Sequence, residues 1–452
     1  MKHTFSAFKL AIFSLILIST QATAAIDMQS HVASDAGKAA YTTYVTKQAA
    51  YYTSTYAYAD LMTETGSVLF GTLNQLMGET NKIASSRYSY GNLRYQYVNV
   101  DRDLNDATKI ISFYSGQQLS STWDGGSTWN REHTWPQSKF EGSQTTDGTS
   151  IPIGYDMQSI RPASTSVNSD RGNTAYGEGG SYYDPNDVAI SNSNYSTISS
   201  GTYRGDCARV ILYDYITYGK NGTYYNALYL SACKTDLLTQ IGTNSNSVFE
   251  SLAILLKWHM QDPPSLTEMT RNDGGEVYQG NRNPFIDYPE LAINMLKGSS
   301  NLTTYTVTTN TTATVAPNYQ YTTSGGFVTY LTYFDGTHPA AVTVTGGSSQ
   351  YNATLGRLTV SSASGAVNIS TNDDPNAINY SSIQDITYYT QNGVVYVSNL
   401  QPESSVSIFD CSGRLITKQV NCSTETQFHL SQGIYVLQVT VGKSTRSFKI
   451  AY

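Results

Sequence analysis

Apolar residues recur at helical spacing through the first three hundred positions. Leu69, Leu73 and Leu76 stand at i, i+4 and i+7, and Ala208, Ile211, Leu212 and Tyr215 at i, i+3, i+4 and i+7; Val248, Leu252, Leu255 and Leu256 form a third such face. A stripe of this period is what an amphipathic helix buries, so each stretch predicts one. Asp287, with Pro289 in the first turn and Glu290 three residues on, reads as the N-cap of a further helix running to about Lys297. After Gly298 the period shortens towards two. Tyr305-Thr306-Val307-Thr308, Ala341-Val342-Thr343-Val344 and Arg357-Leu358-Thr359-Val360 read as strands. So do Val395–Val397, Val406–Phe409, Tyr435–Val439 and Ser447–Ile450, with turns at Ser412-Gly413 and Gln432-Gly433. Residues 120–175 follow neither period and are dense in Gly, Ser, Trp, Arg and Asp, a composition of short strands and functional loops. The expected organisation is an α+β domain over 25–298, a β-rich module over 303–392 and a small β-sandwich over 393–452.

Composition narrows the setting. With 39% hydrophobic and 13% charged residues, 452 positions can bury sizeable cores, which excludes global disorder. Beyond the N-terminus no run reaches the roughly 18 apolar residues of a membrane span, so an integral membrane protein is not expected. The 37 tyrosines, among abundant Ser, Thr, Asn and Gly, suit an extracellular protein. Lys2 and Lys9, the apolar run Leu10–Ile18 and Ala22-Thr23-Ala24 form the pattern of a signal peptide cleaved after residue 24. Export permits disulfides, and local pairing is expected among the cysteines, Cys207 with Cys233 and Cys411 with Cys422. The formal charge is −7: residues 1–24 carry +2, residues 25–297 carry −8 and residues 298–452 carry −1. No bulk-basic domain exists to neutralise phosphates, so a nucleic-acid substrate must rely on a few local arginines and a metal.

Histidines and signatures restrict the chemistry further. Within the first domain only His31, His133 and His259 remain, which disfavours a histidine-rich multi-zinc centre. Glu132-His133 continues as Thr134-Trp135-Pro136 rather than as a His-Glu-x-x-His zinc motif, and neither a Gly-x-Ser-x-Gly elbow nor a Walker loop is present. The segment Asn130-Arg131-Glu132-His133-Thr134-Trp135-Pro136-Gln137-Ser138 sets a carboxylate, an imidazole and a guanidinium side by side. Neighbouring side chains on a strand face opposite ways, yet a strand end or bulge would let Glu132 ligate a hard metal while His133 approaches a water beside it. On these residues alone a surface ion pair with a hydrogen-bonded histidine is the better reading. His259, one turn beyond Leu255 on an apolar face, fits a structural histidine better than a catalytic one. Trp135 reads as core before base-stacking, and clusters such as Tyr88-Ser89-Tyr90 as surface residues before a nucleic-acid platform.

The nonapeptide resembles the signature of the secreted bacterial endonuclease I family. Further blocks of that family's pattern follow in order: Tyr155-Asp156 to Arg161-Pro162, Val167-Asn168-Ser169-Asp170-Arg171-Gly172-Asn173, Gly205-Asp206-Cys207-Ala208-Arg209, Trp258-His259 with Asp262-Pro263, and Gln279 to Asp287. The resemblance implies a ββα-metal (His-Me) finger, with a first strand ending at His133, a second around Met157–Arg161 and a helix carrying Asn168. It implies His133 as general base, Glu132 and Asn168 as ligands of one divalent ion, and Arg161 or Arg171 on the scissile phosphate; Asn173 is a second choice of ligand, and Asn130 and Arg131 support the geometry. Oxygen ligands favour Mg²⁺, with Mn²⁺ or Ca²⁺ as alternatives. The expected reaction is non-specific hydrolysis of DNA, and of RNA as well, to 5′-phosphate products by a secreted monomer. One departure is Gln158-Ser159, where relatives carry a histidine. That departure and the polar β half leave open a catalytically inactive nuclease scaffold acting as a cell-surface binding protein, and a different metal-dependent phosphoesterase such as a phospholipase is a further rival. Val406–Asp410, Ser412-Gly413-Arg414-Leu415, Gln432–Leu437 and the last strand resemble the sorting domain of type IX secretion, which implies passage of a Gram-negative outer membrane and release or attachment at the cell surface.

Overall fold

The computed structural model describes residues 35–83, 88–139, 152–177, 203–219, 248–299, 302–333, 336–371, 386–391, 393–401, 404–410, 413–422, 424–441 and 444–451. The expected signal peptide lies outside them. Two compact units emerge. One takes the described residues up to Thr308 together with Val315–Tyr330 and Val344–Asn368, and the other takes Thr309–Thr314, Leu331–Thr343 and Ile369 onward.

Helices dominate the first unit: Asp35–Tyr51, Gly66–Thr80, Tyr90–Val100, Arg204–Tyr218, Leu252–Gln261, Leu266–Gln279 and Glu290–Leu296. The leucine stripe of Gly66–Thr80 is buried as its spacing requires, with Leu69, Leu73 and Leu76 all inside. Arg204–Tyr218 is enclosed on every side from Gly205 to Tyr218, so its apolar positions mark only part of what it buries. Serines set the starts of several helices: Ser89, Ser251 and Ser265 accept from the backbone N–H of Asn92, Ile254 and Glu268. Ser265 and Glu268 complete a reciprocal capping box.

Two expectations shift. Val248 precedes the helix it was grouped with, which starts at Leu252 behind its Ser251 cap. Asp287 is not an N-cap. It closes the short helix Pro284–Asp287, capped by Asn283, and its carboxylate is held by the Arg282 guanidinium, while Pro289 stands at the start of Glu290–Leu296. A carboxylate gripped by a buried guanidinium is not available to backbone amides.

Short strands lie between the helices. β1 (Lys109–Ile111) pairs antiparallel with β2 (Gln118–Ser120), and β3 (Trp129–His133) pairs antiparallel with β4 (Ile160–Ser164) in regular register, from Trp129 opposite Ser164 to His133 opposite Ile160. Behind this hairpin a core of Leu93, Tyr97, Val100, Ile110, Trp129, Met157 and Ile160 closes. β4 runs directly into the helix Thr165–Arg171, whose first turn is capped by Ser164. Buried polar groups lock the hairpin's second strand in place. Arg271 donates to Asp101 and to the carbonyls of Ile160 and Met157, and Asp156 accepts from Tyr213, Tyr218, Gln279 and the Gln158 amide. The residues after Gly298 that belong to this unit dock on the helical part. Gln261 donates to the carbonyls of both Gly325 and Val360, each at 2.8 Å, and Phe327–Tyr330 pairs with Arg357–Val360.

In the second unit a three-stranded sheet, Thr387–Gln391, Val394–Ser398 and Glu425–His429, faces a four-stranded one ordered Leu415–Cys422, Ser404–Asp410, Ile434–Val441 and Ser444–Ala451. Val395, Val397 and Phe428 from one sheet meet Val406, Ile408, Leu437, Val439 and Ile450 from the other in a single core. Each half-chain was expected to hold a local disulfide, and that is not found. Cys207 and Cys422 are free, buried thiols. The first is sealed inside Arg204–Tyr218 at zero exposure, and the second packs in the sandwich core with its S–H directed to the Gln419 carbonyl. Cys233 and Cys411 lie outside the described residues. No helix among the described residues is long and apolar enough to cross a membrane.

Candidate active site

Strand alternation divides the conspicuous segment between two faces. Asn130 and Glu132 point one way, and Trp129, Arg131 and His133 the other. The β3–β4 register is regular, so of the two expected devices no bulge is present and His133 stands at the strand end.

On the first face Glu132 is 2% exposed. Its Oε1 accepts from the Tyr114 hydroxyl at 2.6 Å, and the Arg171 Nε stands 3.6 Å away. Arg171 is fixed in turn. Its Nη2 and Nη1 donate to the carbonyls of Thr134 (3.0 Å) and Gly172 (2.9 Å), and the guanidinium lies 4.5 Å from the centre of the Tyr176 ring. Tyr176 donates to the same Thr134 carbonyl, and its hydroxyl meets that of Tyr114 at 2.5 Å. Burial pushes the Glu132 carboxyl up to about 7, while Arg171 and the Tyr114 hydrogen bond pull the other way. Asn168, half-buried on Thr165–Arg171, donates its amide to the Asn130 side chain. Because the nitrogen end makes that bond, its oxygen is left as an acceptor. Asn173 is exposed and donates to Ser138.

On the opposite face the imidazole of His133 stacks on Tyr90, with ring centroids 5.3 Å apart and 24° between planes. Its Nε2 lies 3.1 Å from the Gly154 carbonyl and 3.0 Å from the Gln137 amide. A carbonyl only accepts, whereas a Gln amide can turn either end. The Gly154 contact therefore assigns the proton to Nε2 and the basic lone pair to Nδ1.

The structure thus gathers Glu132, Asn168 and Arg171 on one side of β3 and His133 on the other. Arg161, opposite Glu132 in the ladder, is 4% exposed. It pairs with Asp101 at 3.3 Å and Asp206 at 4.0 Å and lies over the Phe113 ring. Both arginines are interior residues with carboxylate partners. Gln158 and Ser159 also face inward, bonded to Asn272 with the Asn281 carbonyl and to Asp214, so that departure from the family pattern lies in the core. His259 donates from Nε2 to the Pro289 carbonyl at 2.7 Å and is wholly buried. Trp135 is core. Arg209 and Arg282 are buried hubs, the first on Asp206 and Glu268, the second on Asp273, Glu276 and Asp287. Sequence reasoning missed Tyr114, Gly154 and Gln137. Gln137 stands four residues past His133 within the segment already singled out, whereas nothing local marks the other two.

Among the described residues no three His, Cys, Asp or Glu side chains gather to hold a metal. The donor set beside β3 consists instead of oxygens from one carboxylate and carboxamides, Glu132 with Asn168 and Asn130.

Residues 65–290 match the family model described as Endonuclease I. Two curated relatives are named extracellular ribonuclease. That of Bacillus amyloliquefaciens is 35% identical over 195 residues and that of Bacillus subtilis (strain 168) 34% over 199, each match taking 42% of this chain and 63% of the relative. The chain therefore spans a little under two thirds of their length. A solved structure of PorZ, a bacterial surface component of the type-IX secretion system of Porphyromonas gingivalis, is 19% identical over 29% of this chain and 20% of that one, with a TM-score of 0.15, too low to bear on the fold.

Proposed function

The chain belongs to the endonuclease I family, and from that premise we propose that it is a secreted, divalent-metal-dependent endonuclease that hydrolyses phosphodiester bonds in RNA and DNA to 5′-phosphate products. The observation that carries the reading is the pinned imidazole of His133 at the end of β3, adjacent in sequence to a buried carboxylate that meets few partners, inside the family-matched span. β3, β4 and Thr165–Arg171 serve as the ββα finger. RNA is included because both relatives are named ribonucleases.

His133, with its Nε2–H anchored on Gly154, takes the proton of the attacking water at Nδ1. Tyr90 and Gln137 hold the ring so that this atom keeps one direction. Glu132 and the Asn168 oxygen would hold the ion, and they fit a hard cation: a carboxylate with one hydroxyl donor and an amide oxygen accepting no hydrogen bond among the described residues. A bound Mg²⁺, Mn²⁺ or Ca²⁺ would offset the charge that builds on the phosphate and leaving oxygen. Tyr114 and Arg171 act behind Glu132, fixing its carboxylate and balancing its charge. Arg161, tied to Asp101 and Asp206, holds β4 to the helices.

Around this centre the proposed division is a catalytic domain over 25–298, a β-rich module over 303–392 and, from 393, a sorting sandwich for type IX export that delivers the chain outside the cell as a monomer. The inward placement of Gln158 and Ser159 bears on one ground for an inactive binding scaffold and not on the other, the polar β half, so cleavage decides between the two readings. The test is digestion of plasmid DNA and of RNA by the full chain, with Mg²⁺ or with EDTA, beside His133→Ala. Metal-dependent cleavage that disappears in the variant supports the reading. A folded parent that leaves both polymers intact under every metal sinks it.

A further inference from the structure

The arginines of this chain divide by what neutralises them. Arg161, Arg171, Arg209, Arg271 and Arg282 are buried, each on at least one carboxylate. Arg94 and Arg131 meet aromatic faces instead, and neither has a carboxylate partner among the described residues. The Arg131 guanidinium lies 3.7 Å from the centre of the Tyr90 ring and 5.1 Å from that of Trp123, and it donates to the Tyr90 carbonyl. Arg94 lies 4.8 Å from the Tyr95 ring and 5.7 Å from the same Trp123, and it donates to the Tyr95 hydroxyl. The two Nε atoms are shielded and unpartnered, which leaves the outer amino groups to present the charge. Tyr90 also carries the stacked imidazole of His133. One chain of contacts therefore runs from His133 through Tyr90, Arg131, Trp123 and Arg94 to Tyr95, whose ring is 57% exposed.

We propose that this arginine–aromatic row binds the nucleic-acid strand beside the reacting phosphate and selects unpaired nucleotides, an inference that rests on the nuclease reading and gives its substrate class. Two positive charges with no carboxylate partner among the described residues are complementary to a phosphodiester backbone. Planar guanidinium groups held on rings, each with one amino group already anchored, keep the other in a fixed orientation, which suits a charge-assisted hydrogen bond to a phosphate oxygen. The exposed Tyr95 ring supplies a stacking face, and a base can use it only when it is not already stacked within a duplex. Single-stranded RNA or DNA satisfies both features at once. A double helix uses the charges and leaves the ring idle.

The test is equilibrium binding of the full chain to a fluorescein-labelled twelve-nucleotide single strand and to its duplex, read by anisotropy in EDTA so that no turnover occurs. The single strand should bind more tightly. Arg94→Ala, Arg131→Ala and Tyr95→Ala should each weaken it by about fivefold or more, as loss of a stacked base does. Each arginine variant should also reduce the slope of log affinity against log salt by roughly 0.7. Tyr95→Phe should bind like the parent, and Arg94→Lys should keep the salt slope while losing affinity, so a folding defect is told apart from a lost contact. Parent-like affinity and slope in all three alanine variants overturns the proposal, as does a duplex bound as tightly as the single strand, or no binding by the folded parent. Cleavage is scored separately with His133→Ala. A parent that binds through the row yet never cuts refutes the nuclease reading alone, and one that cuts with variants unaffected in binding refutes the row alone.

Discussion

Replacing Arg171 by Met separates two roles for a residue that its place in the family pattern assigns to the phosphate. In the structure its guanidinium is 1% exposed, 3.6 Å from Glu132, and bonded to the carbonyls of Thr134 and Gly172. Methionine fills similar space but removes the cationic partner of a buried carboxylate and one of the two donors to the Thr134 carbonyl, which keeps the Tyr176 hydroxyl, while the exposed Gly172 carbonyl can turn to water. Breaking one side of a buried ion pair costs about 3–5 kcal/mol because the remaining charge has no water to turn to. For a domain of this size that lowers Tm by on the order of 10 °C. Glu132→Gln in the same background should recover part of the loss, since the penalty comes from the isolated charge, and the double-mutant cycle should show coupling of about 1–3 kcal/mol. The assay is thermal and urea unfolding of the parent, both single variants and the double variant. KM for RNA should stay near the parent's below the melting range. A variant with Tm within about 2 °C of the parent and a KM raised many-fold would refute the reasoning and return Arg171 to the phosphate.

Three smaller perturbations follow from the same interior. Burial holds His259 neutral, down to about 3, with the positive charge of Arg209 adding to the effect. A histidine whose folded value is depressed contributes stability that is complete above about pH 6.5 and lost as the pH falls towards 3, at up to roughly 1.4 kcal/mol per unit. His259→Gln should lose that dependence in urea unfolding at pH 7, 6 and 5, and a slope equal to the parent's would show that other groups set it. Gly280 ends Leu266–Gln279 at φ +92°, and an added Cβ would stand 2.6 Å from the Thr80 carbonyl. Gly280→Ala should therefore lose about 1–3 kcal/mol, whereas Gly71→Ala, with open space at a mid-helix position, should gain roughly 0.5–1 kcal/mol. Equal urea midpoints for the two glycine variants would rule out the steric account.

Periodicity carried the fold where one face of an element is buried and failed where that condition does not hold. Leu69, Leu73 and Leu76 mark Gly66–Thr80 because the opposite face is wet, and the alternation of Tyr435–Val439 marks a strand because one side meets the sandwich core. Leu415–Cys422 went unread. It is an edge strand, mostly exposed from Leu415 to Asn421, and has no alternation to display. Asp35–Tyr51 buries Tyr41, Tyr44 and Val45, and Tyr90–Val100 buries Leu93, Tyr97 and Val100, so tyrosines carry part of each buried face and a leucine stripe does not mark them. Leu266–Gln279 did carry a start mark, Ser265 with Glu268, which the leucine search did not use. At the candidate site, motif order singled out Glu132, His133 and Asn168. The partners that define their state, Tyr114 and Gly154, stand 18 and 21 residues away in the chain. Such contacts are set by tertiary packing, and no spacing rule reaches them. The same limit applies to the cysteines, whose grouping in sequence suggested local bridges, whereas Cys207 and Cys422 are free thiols.

Of the four tryptophans, Trp129, Trp135 and Trp258 are buried, while Trp123 is only half-buried, wedged between the guanidinium groups of Arg94 and Arg131 and set edge-on to Trp129 at 4.8 Å. The partly wet indole therefore belongs to the long-wavelength side of the chain's intrinsic emission, and the three interior indoles supply a blue-shifted background. Rotation of either guanidinium, or arrival of an aromatic solute at this surface, should shift the red edge of that emission. The molecule carries its own optical gauge of the surface beside its candidate base, without a dye and without a substitution.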